Sequence, residues 1–508
     1  MGRIWVLGIP VGLSQAVLPA LLLGGCKVGP NYARPEPSVP DAWTQSAQAD
    51  LRAGAAPLQE YWDQFSDPVL VELIRRASQG NLNLKLAAAR IDEARALRGV
   101  SRAPLLPSVA GTADAALTRA SEEITPTLPP GIDREAEFYS VGGAVAWELD
   151  LWGRIRRGVE SASASLEATV EDYRDTLVVY YAEVAGAYVN IRTLQERIQY
   201  ARKNARSQAE TLQLTLDLNE AGLVSDLDVN QARLNLKRTE STIPQLETAL
   251  AKTIHLLNTL LGDAPGTVDA LIEIPGQIPI PPDTVQIGIP ADLLRNRPDV
   301  RRAERQLAAQ SAQIGVAKAN LYPALYLPGT LTLEAFDPGN LNGGSLAYAF
   351  GPSVRWKLFS GGQVRNQIRA EEARTSQSLH LYELSILQAL QEVEDAMVAF
   401  LKEKDRLGYL QESRTAATNS VRLVKDLYVD GLTQFQNVLD MERSLFIEED
   451  QLTQSRGLIA QSAVMIYKAL GGGWDLPEPL LGPAMEDPDL TRDPAPPDAA
   501  LASPPSTP

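Results

Sequence analysis

The sequence predicts an α+β membrane protein in which the strands of an outer-membrane type of β-barrel continue into very long helices. Three observations lead to this prediction. Four segments of about ten residues alternate apolar with small or polar residues, a period typical of membrane barrel strands. Two proline-free segments of about 65 residues carry apolar residues every three or four positions, as long paired helices do. Each half of the chain contains two of the alternating segments and one of the helical segments.

The chain is a tandem duplication of one unit. Trp147 and Trp356 lie 209 positions apart, and so do Gly222 and Gly431. A long repeat of this kind indicates one structural unit used twice, rather than two independent domains.

Two of the predicted strands fall in each repeat. The four strands cover 108–118, 139–149, 324–334 and 348–358. Pro328 and Pro352 lie inside two of them, so we expect a bulge or a strand end at each proline. The alternation alone also fits an amphipathic sheet in a soluble domain, and that alternative stays open at this point.

The long helices are predicted to form two hairpins. Their helices cover 153–219 and 225–261 in the first repeat, and 363–429 and 434–470 in the second. Gly222 and Gly431 should end the first helix of each hairpin in the left-handed conformation. Pro244 should kink or break the first return helix. Shorter helices are expected at 67–103 and 291–320.

The predicted domain organisation has six parts. These are a signal peptide at 1–25, an N-terminal anchored segment at 26–66, a first repeat at 67–266, a linker at 267–290, a second repeat at 291–474 and a disordered proline-rich tail at 475–508.

Cys26 is the only cysteine, and it follows Leu23-Gly24-Gly25 at the end of an apolar leader. This context resembles a bacterial lipobox, so we expect Cys26 to carry a covalent lipid. The alternative is an ordinary signal peptide followed by an incidental cysteine. Lys27 comes next, and by resemblance to known lipoproteins the absence of aspartate there favours the outer membrane. Several acyl groups would anchor the N-terminus stably.

Composition excludes several classes of function. The chain carries 47 basic and 63 acidic residues, a formal charge of −16, which disfavours binding to nucleic acid. Two histidines and one cysteine leave little for a transition-metal site or a thiol enzyme. The sequence has neither a phosphate-binding loop nor a nucleophile elbow. We therefore expect no enzyme activity, no metal and no cofactor besides the lipid on Cys26.

The strands and helices together require more than one chain. Single-chain membrane barrels start at eight strands, and open strand edges are costly in lipid. Four strands must therefore be completed by other copies. Helices of about 65 residues would be on the order of 100 Å long, which exceeds any bilayer, so they must project into an aqueous space.

Four blocks of sequence resemble the TolC-like outer-membrane efflux lipoproteins, in the NodT and OprM branch of that family. The blocks read CKVGPNYARP at 26–35, WDQFSDP at 62–68, IPADLLRNRPD at 289–299 and LGGGW at 470–474. The resemblance implies a homotrimer in the cell outer membrane, with a 12-stranded barrel made of four strands per chain. It also implies a periplasmic barrel of coiled-coil helices that acts as a passive conduit. An inner-membrane efflux pump and a periplasmic adaptor protein would be its partners.

The resemblance further implies a periplasmic gate at the two helix turns. Asp228 in the first turn and Asp440 in the second match acidic gate positions, and Tyr428 matches an aromatic one. Thr433 stands where the family has a basic residue and Asn437 where it has an acidic one, so we expect the closed state to lack a salt bridge of the family. The alternative is that Asp228 and Asp440 only cap or solvate helix starts.

Two rival functions compete with the channel. A periplasmic adaptor lipoprotein would have one hairpin flanked by compact β domains, rather than a duplicated unit with four barrel-like strands. A lipoprotein enzyme would need catalytic groups, but His255 and His380 lie within helical patterns that favour packed or surface positions.

Overall fold

The structure is a computed structural model. It describes residues 26–45, 50–52, 61–127, 129, 133–282, 284–292, 296–472 and 474. The predicted signal peptide at 1–25 and the predicted tail at 475–508 lie outside the described residues. Among the described helices, none combines the length and hydropathy that a transmembrane helix requires.

The described chain is mostly helical. Its helices are α1 (Pro68–Gly80), α2 (Leu82–Arg102), α3 (Arg154–Glu220), α4 (Asp226–Leu261), α5 (Asp269–Ile272), α6 (Pro298–Ala319), α7 (Gln363–Val429) and α8 (Phe435–Ala469). The helices α3, α4, α7 and α8 confirm the two predicted hairpins to within one or two residues.

The strands form two separate sheets. They are β1 (Leu51–Arg52), β2 (Ser108–Arg119), β3 (Glu135–Leu149), β4 (Val285–Gln286), β5 (Ala324–Ala335), β6 (Leu346–Phe350) and β7 (Ser353–Arg355). β1 and β4 pair in parallel, and the larger sheet is antiparallel in the order β2-β3-β5-β6, with β7 also on β5. Strands are therefore present at all four predicted positions, but the fourth ends at Arg355 rather than at 358.

The shorter helices differ from their predictions. A single helix over 67–103 is wrong, because Asn81 has an extended backbone and its side-chain oxygen accepts hydrogen bonds from the N–H groups of Asn83 and Leu84. Asn81 thus caps the start of α2. A helix starting at 291 is also wrong, because α6 begins at Pro298, whose fixed φ and missing N–H suit a first helical position.

Two of the three prolines expected to disrupt elements lie inside continuous elements. α4 continues through Pro244, so a break there is wrong, and the alternative of a kink stays a prediction. β5 continues through Pro328, which pairs with Ala146, so the predicted disruption there is wrong too. Pro328 is tolerated because it has no ladder partner on the other edge of β5, where a gap in the neighbouring strand lies.

Pro352 does interrupt its strand, as predicted. It separates β6 from β7, and both pieces pair with β5 in one register: Phe350 with Gly329 and Ser353 with Tyr326. Two residues lie between the two pairs on each strand, so no residue is inserted. The interruption is a strand end without a bulge.

The register gives the large sheet two chemically different faces. One face is apolar and includes Val141, Val145, Trp147, Leu331, Leu333, Tyr348 and Phe350. The other is small or polar and includes Asp114, Ser140, Gly142, Ala144, Thr330, Thr332 and Glu334. This two-faced character follows directly from the period of two in the sequence.

The chain divides into two compact units that do not follow the predicted repeats. The first contains described parts of Met1–Glu36, Asp92–Thr169 and Ala303–Tyr382. The second contains described parts of Pro37–Ile91, Val170–Arg302 and Glu383–Pro508. The large sheet belongs to the first unit, and the helix turns belong to the second. Each unit takes residues from both repeats, and the predicted domain boundaries stay a prediction.

Candidate functional site

The two helix turns have the same backbone geometry. Gly222 and Gly431 have φ values of 72° and 71°. Gly222 donates to the carbonyl of Asn219, and Leu223 donates to that of Leu218, at 2.8 and 2.9 Å. Gly431 and Leu432 repeat this pattern, which is a Schellman motif. The prediction that both glycines end a helix in the left-handed conformation is confirmed.

Replacing the glycine of the second turn should destabilise it. No atom lies within 4 Å of a Cβ built on Gly431, so Gly431→Ala introduces only backbone strain, about 1 kcal/mol. Gly408→Ala is the control, because Gly408 is helical, exposed and equally uncrowded, and alanine there should stabilise α7. Thermal unfolding in detergent should move in opposite directions for the two variants. A shift in the same direction would contradict the strained turn.

Tyr428 lies in the hydrophobic core behind the turns. Its ring packs against that of Phe435 with centroids 5.2 Å apart, and Val438 and Leu439 belong to the same buried cluster. Burial, and then the nearby carboxylate of Asp228, raises the pKa of Tyr428 to about 12. The phenol therefore stays protonated at neutral pH and can act only as a neutral hydrogen-bonding group.

Asp228 lies in the first turn of α4. Its backbone N–H donates to the carbonyl of Ser225 at 3.0 Å, and the Ser225 hydroxyl lies 3.4 Å from its carboxylate. A carboxylate at this position interacts favourably with the positive end of the helix dipole. Asp228 is thus both a helix-start residue and the neighbour of Tyr428.

Asn437 and Asp440 are exposed instead, on the side of α8 opposite to its buried residues. Asn437 donates to the hydroxyl of Thr433 at 2.8 Å, and Asp440 accepts from the side chain of Gln436 at 2.9 Å. Arg443 lies 3.8 Å from the Asp440 carboxylate. Asp440 is past the first turn of α8, so it does not cap that helix.

The structure therefore separates the four candidate gate residues into two pairs. Asp228 and Tyr428 are neighbours at the core, whereas Asn437 and Asp440 share an exposed stripe. Their role in gating stays a prediction.

Sequence reasoning missed a buried charged group close to the turns, which we call the tip cluster: Thr211, Asn235, Lys425 and Glu442. The Glu442 side chain is 4% exposed and lies 2.9 Å from the Lys425 ammonium. Thr211 and Asn235 donate to its two oxygens at 2.6 and 3.1 Å. One carboxylate thus connects α3, α4, α7 and α8.

A second buried carboxylate lies seven residues further along α8. Glu449 accepts from Asn204 at 2.5 Å and from Lys203 at 3.2 Å. Asn204 lies seven residues before Thr211, so two polar layers repeat at heptad spacing between antiparallel helices. Within the described residues, no group of three or more acidic, histidine or cysteine side chains could hold a metal ion.

The N-terminal residues 26–36 form a strap in the first unit. Arg157, which is 1% exposed, donates to the carbonyls of Val28 and Gly29 at 3.2 and 3.3 Å and to the Asn31 side chain at 2.8 Å. Lys27 forms an ion pair with Glu160 at 2.8 Å. Cys26 is exposed at the start of this strap. The motif at 26–35 therefore has a packing role that its sequence did not reveal.

The comparisons with known proteins agree over most of the chain. The sequence matches the family described as outer membrane efflux protein over residues 73–263 and 289–472. It is 31% identical to Nodulation protein T of Rhizobium leguminosarum bv. viciae, covering 92% of this chain and 94% of that protein. It is 32% identical to the solvent efflux pump outer membrane protein SrpC of Pseudomonas putida, covering 91% and 98%.

Solved structures agree with this result. The outer-membrane channel OprN superposes with a TM-score of 0.82 at 34% identity, covering 88% of this chain and 100% of OprN. CusC superposes with a TM-score of 0.76 at 25% identity and the same coverage. The resemblance seen in the sequence is confirmed, and the protein belongs to the outer membrane efflux protein family.

Proposed function

We propose that the protein is the outer-membrane channel of a tripartite efflux system, a passive conduit for small molecules. The observation that supports this most is the four-stranded sheet, which has one apolar face and two open edges. An apolar face suits lipid, and a small or polar face suits a water-filled bore. Open edges are costly in lipid, so the sheet needs partners.

Three copies of the chain would supply those partners. Three sheets placed edge to edge, β2 of one copy beside β6 and β7 of the next, would close a 12-stranded barrel. The three sets of hairpins would then surround one aqueous passage in the periplasm. An inner-membrane pump would supply the energy, and an adaptor would connect pump and channel.

The rival function is a periplasmic adaptor lipoprotein. It is not favoured, because SrpC, OprN and CusC, which match along nearly their whole length, carry outer-membrane or channel names. The described residues also do not include the compact β domains that an adaptor would have beside its hairpin.

Light scattering of the detergent-extracted protein, corrected for detergent, tests the proposal. We expect a mass of three chains, and ion conductance when the same sample is placed in a planar bilayer. A stable single chain without conductance would exclude the trimeric channel.

The Asp440→Ala variant tests the gate. Three Asp440 carboxylates around one axis would attract cations, so their loss should lower the cation-over-anion permeability ratio by at least about twofold. Bilayer recordings measure this ratio. Asp405→Ala removes the same charge from an exposed site on α7 and serves as the control. Equal ratios for both variants and the parent would mean that Asp440 does not line the passage.

Lipid attachment to Cys26 is tested with Cys26→Ser. The parent should incorporate radioactive fatty acid and the variant should not, because no other thiol is present. The barrel should still form, since Cys26 is exposed and packs into no core. Equal labelling of both proteins would contradict lipidation at this residue.

A further inference from the structure

The second unit contains a large groove that the proposed channel does not use. Its volume is about 1500 Å³, and it is lined by α3, α4, α7, α8 and the segment Pro275–Pro281. We call it the linker groove. Everything that lines it belongs to this one unit.

The linker groove carries more basic than acidic side chains, and one of the basic ones is unpaired. Four basic side chains line it, namely Arg202, Lys203, Arg206 and Arg456, against the two acidic ones Glu196 and Glu240. Three of the four already have carboxylate partners: Arg202 pairs with Glu247, Lys203 with Glu449 and Arg456 with Glu196. Arg206 is exposed and forms no ion pair with any described residue. The guanidinium of Arg206 favours an anionic occupant.

Most of the remaining lining of the linker groove is apolar. Ile243, Ile278 and Ile280 contribute, together with the three prolines of the segment Pro275–Pro281. Such a lining suits an extended, proline-rich peptide, which loses little conformational freedom on binding. The groove therefore fits a segment that is acidic, rich in proline and partly aliphatic.

The C-terminal segment 475–508 of this chain has that chemistry. Its 34 residues include ten prolines, seven acidic residues and a single basic one. Three of the acidic residues, Glu486, Asp487 and Asp489, lie close together, after the aliphatic residues Leu480, Leu481 and Met485.

The described chain ends where this segment can reach the groove. Trp474 donates to the carbonyl of Asn296 at 2.8 Å, and its ring lies 4.6 Å from the Arg174 guanidinium on α3. From Arg174 to Gln199 in the groove is 25 helical residues, about 38 Å. An extended chain covers that distance in about 12 residues. The acidic residues at 486–489 would then lie beside Arg206.

We propose that the segment around 486–490 binds in the linker groove of its own chain, with one of its carboxylates paired to Arg206. The segment thereby covers the surface between the two hairpins. This inference does not depend on the channel function.

Disulfide cross-linking of the full-length Cys26→Ser protein tests the proposal. One variant carries Gln199→Cys with Leu490→Cys, and the control carries Glu183→Cys with Leu490→Cys. Glu183 is exposed on α3 and only nine residues, about 14 Å, from Arg174, so an unbound segment would reach it more often. We expect the Gln199 pair to cross-link at least about tenfold faster, which reverses the order for an unbound chain.

Charge provides the second arm of the test. The cross-linking of the Gln199 pair should slow to the rate of the control in 1 M salt. It should slow equally in a variant that combines Glu486→Gln, Asp487→Asn and Asp489→Asn. Faster cross-linking of the Glu183 pair would overturn the proposal. A product with the mass of two chains, or capture of the groove by an adaptor protein instead of the segment, would overturn it equally.

Discussion

Lys425→Met should loosen the ends of both hairpins. The change leaves the buried Glu442 carboxylate without its counter-charge, and removing one partner of a buried ion pair is strongly destabilising. Lys425 is itself a quarter exposed, so water relieves part of the effect, and we expect about 2–4 kcal/mol. The loss should be measurable as faster hydrogen exchange of amides near both turns, and as a lower melting temperature in detergent.

Lys402→Met is the matched control for this prediction. Lys402 lies on the same helix and pairs with Asp405 at 3.0 Å, but both side chains are mostly exposed. Such a pair contributes at most about 1 kcal/mol. Adding Glu442→Gln to Lys425→Met should recover part of the loss, because it removes the unpaired buried charge. Equal exchange rates for Lys425→Met and Lys402→Met would show that the tip cluster does not stabilise the turns.

Gly29→Ala should detach the N-terminal strap from the helices beneath it. Gly29 has a φ of 97°, and a Cβ there would lie 2.5 Å from the Cα of Gly315, which is backbone and cannot rotate away. Strain and overlap add, so we expect several kcal/mol, on the order of 3. Trypsin should then cut after Lys27 at least about tenfold faster, because local opening exposes the strap. Mass spectrometry of the remaining chain measures the cleavage.

Gly266→Ala separates overlap from backbone strain. Gly266 has nearly the same φ, 99°, but no atom lies within 4 Å of the position that a Cβ would take there. It should therefore cost only the strain of a left-handed alanine, about 1 kcal/mol, and leave cleavage after Lys27 unchanged. If Gly29→Ala also leaves that cleavage unchanged, the contact with Gly315 does not hold the strap.

The sequence predicted those strands and turns whose formation depends on residues close together in the chain. The alternation of residues around Val141 and Trp147 placed the strands, and Gly222 and Gly431 placed the turns. The end of α1 was missed although Gly80 and Asn81 are helix-stop and helix-start residues, and that signal could have been read. The pairing of β1 with β4 could not be predicted from the sequence, because a strand of two residues shows no periodicity and its partner is more than 200 positions away.

The candidate site was harder to predict because burial depends on distant helices. Asp440 and Glu442 are both acidic residues in one helix, two positions apart, yet one is exposed and the other buried. Only the packing of α3, α4 and α7 decides which side of α8 faces inward. Arg157 was overlooked for the same reason, since its partners lie in a strap more than 120 residues earlier.

The two halves of the chain have the same helix turns but different residues on the return helices that follow. This difference would lower the symmetry of an assembly of several copies. Glu442 has Arg233 as its counterpart 209 positions earlier, and Pro244 has Thr453 as its counterpart 209 positions later. In a threefold assembly, six hairpins with equivalent turns would surround the axis in an approximately sixfold arrangement. Only alternate hairpins would carry a buried acid on the return helix, and only the others a proline. The duplicated gene thus lets two kinds of hairpin change independently within one ring, which a ring of six identical halves could not do.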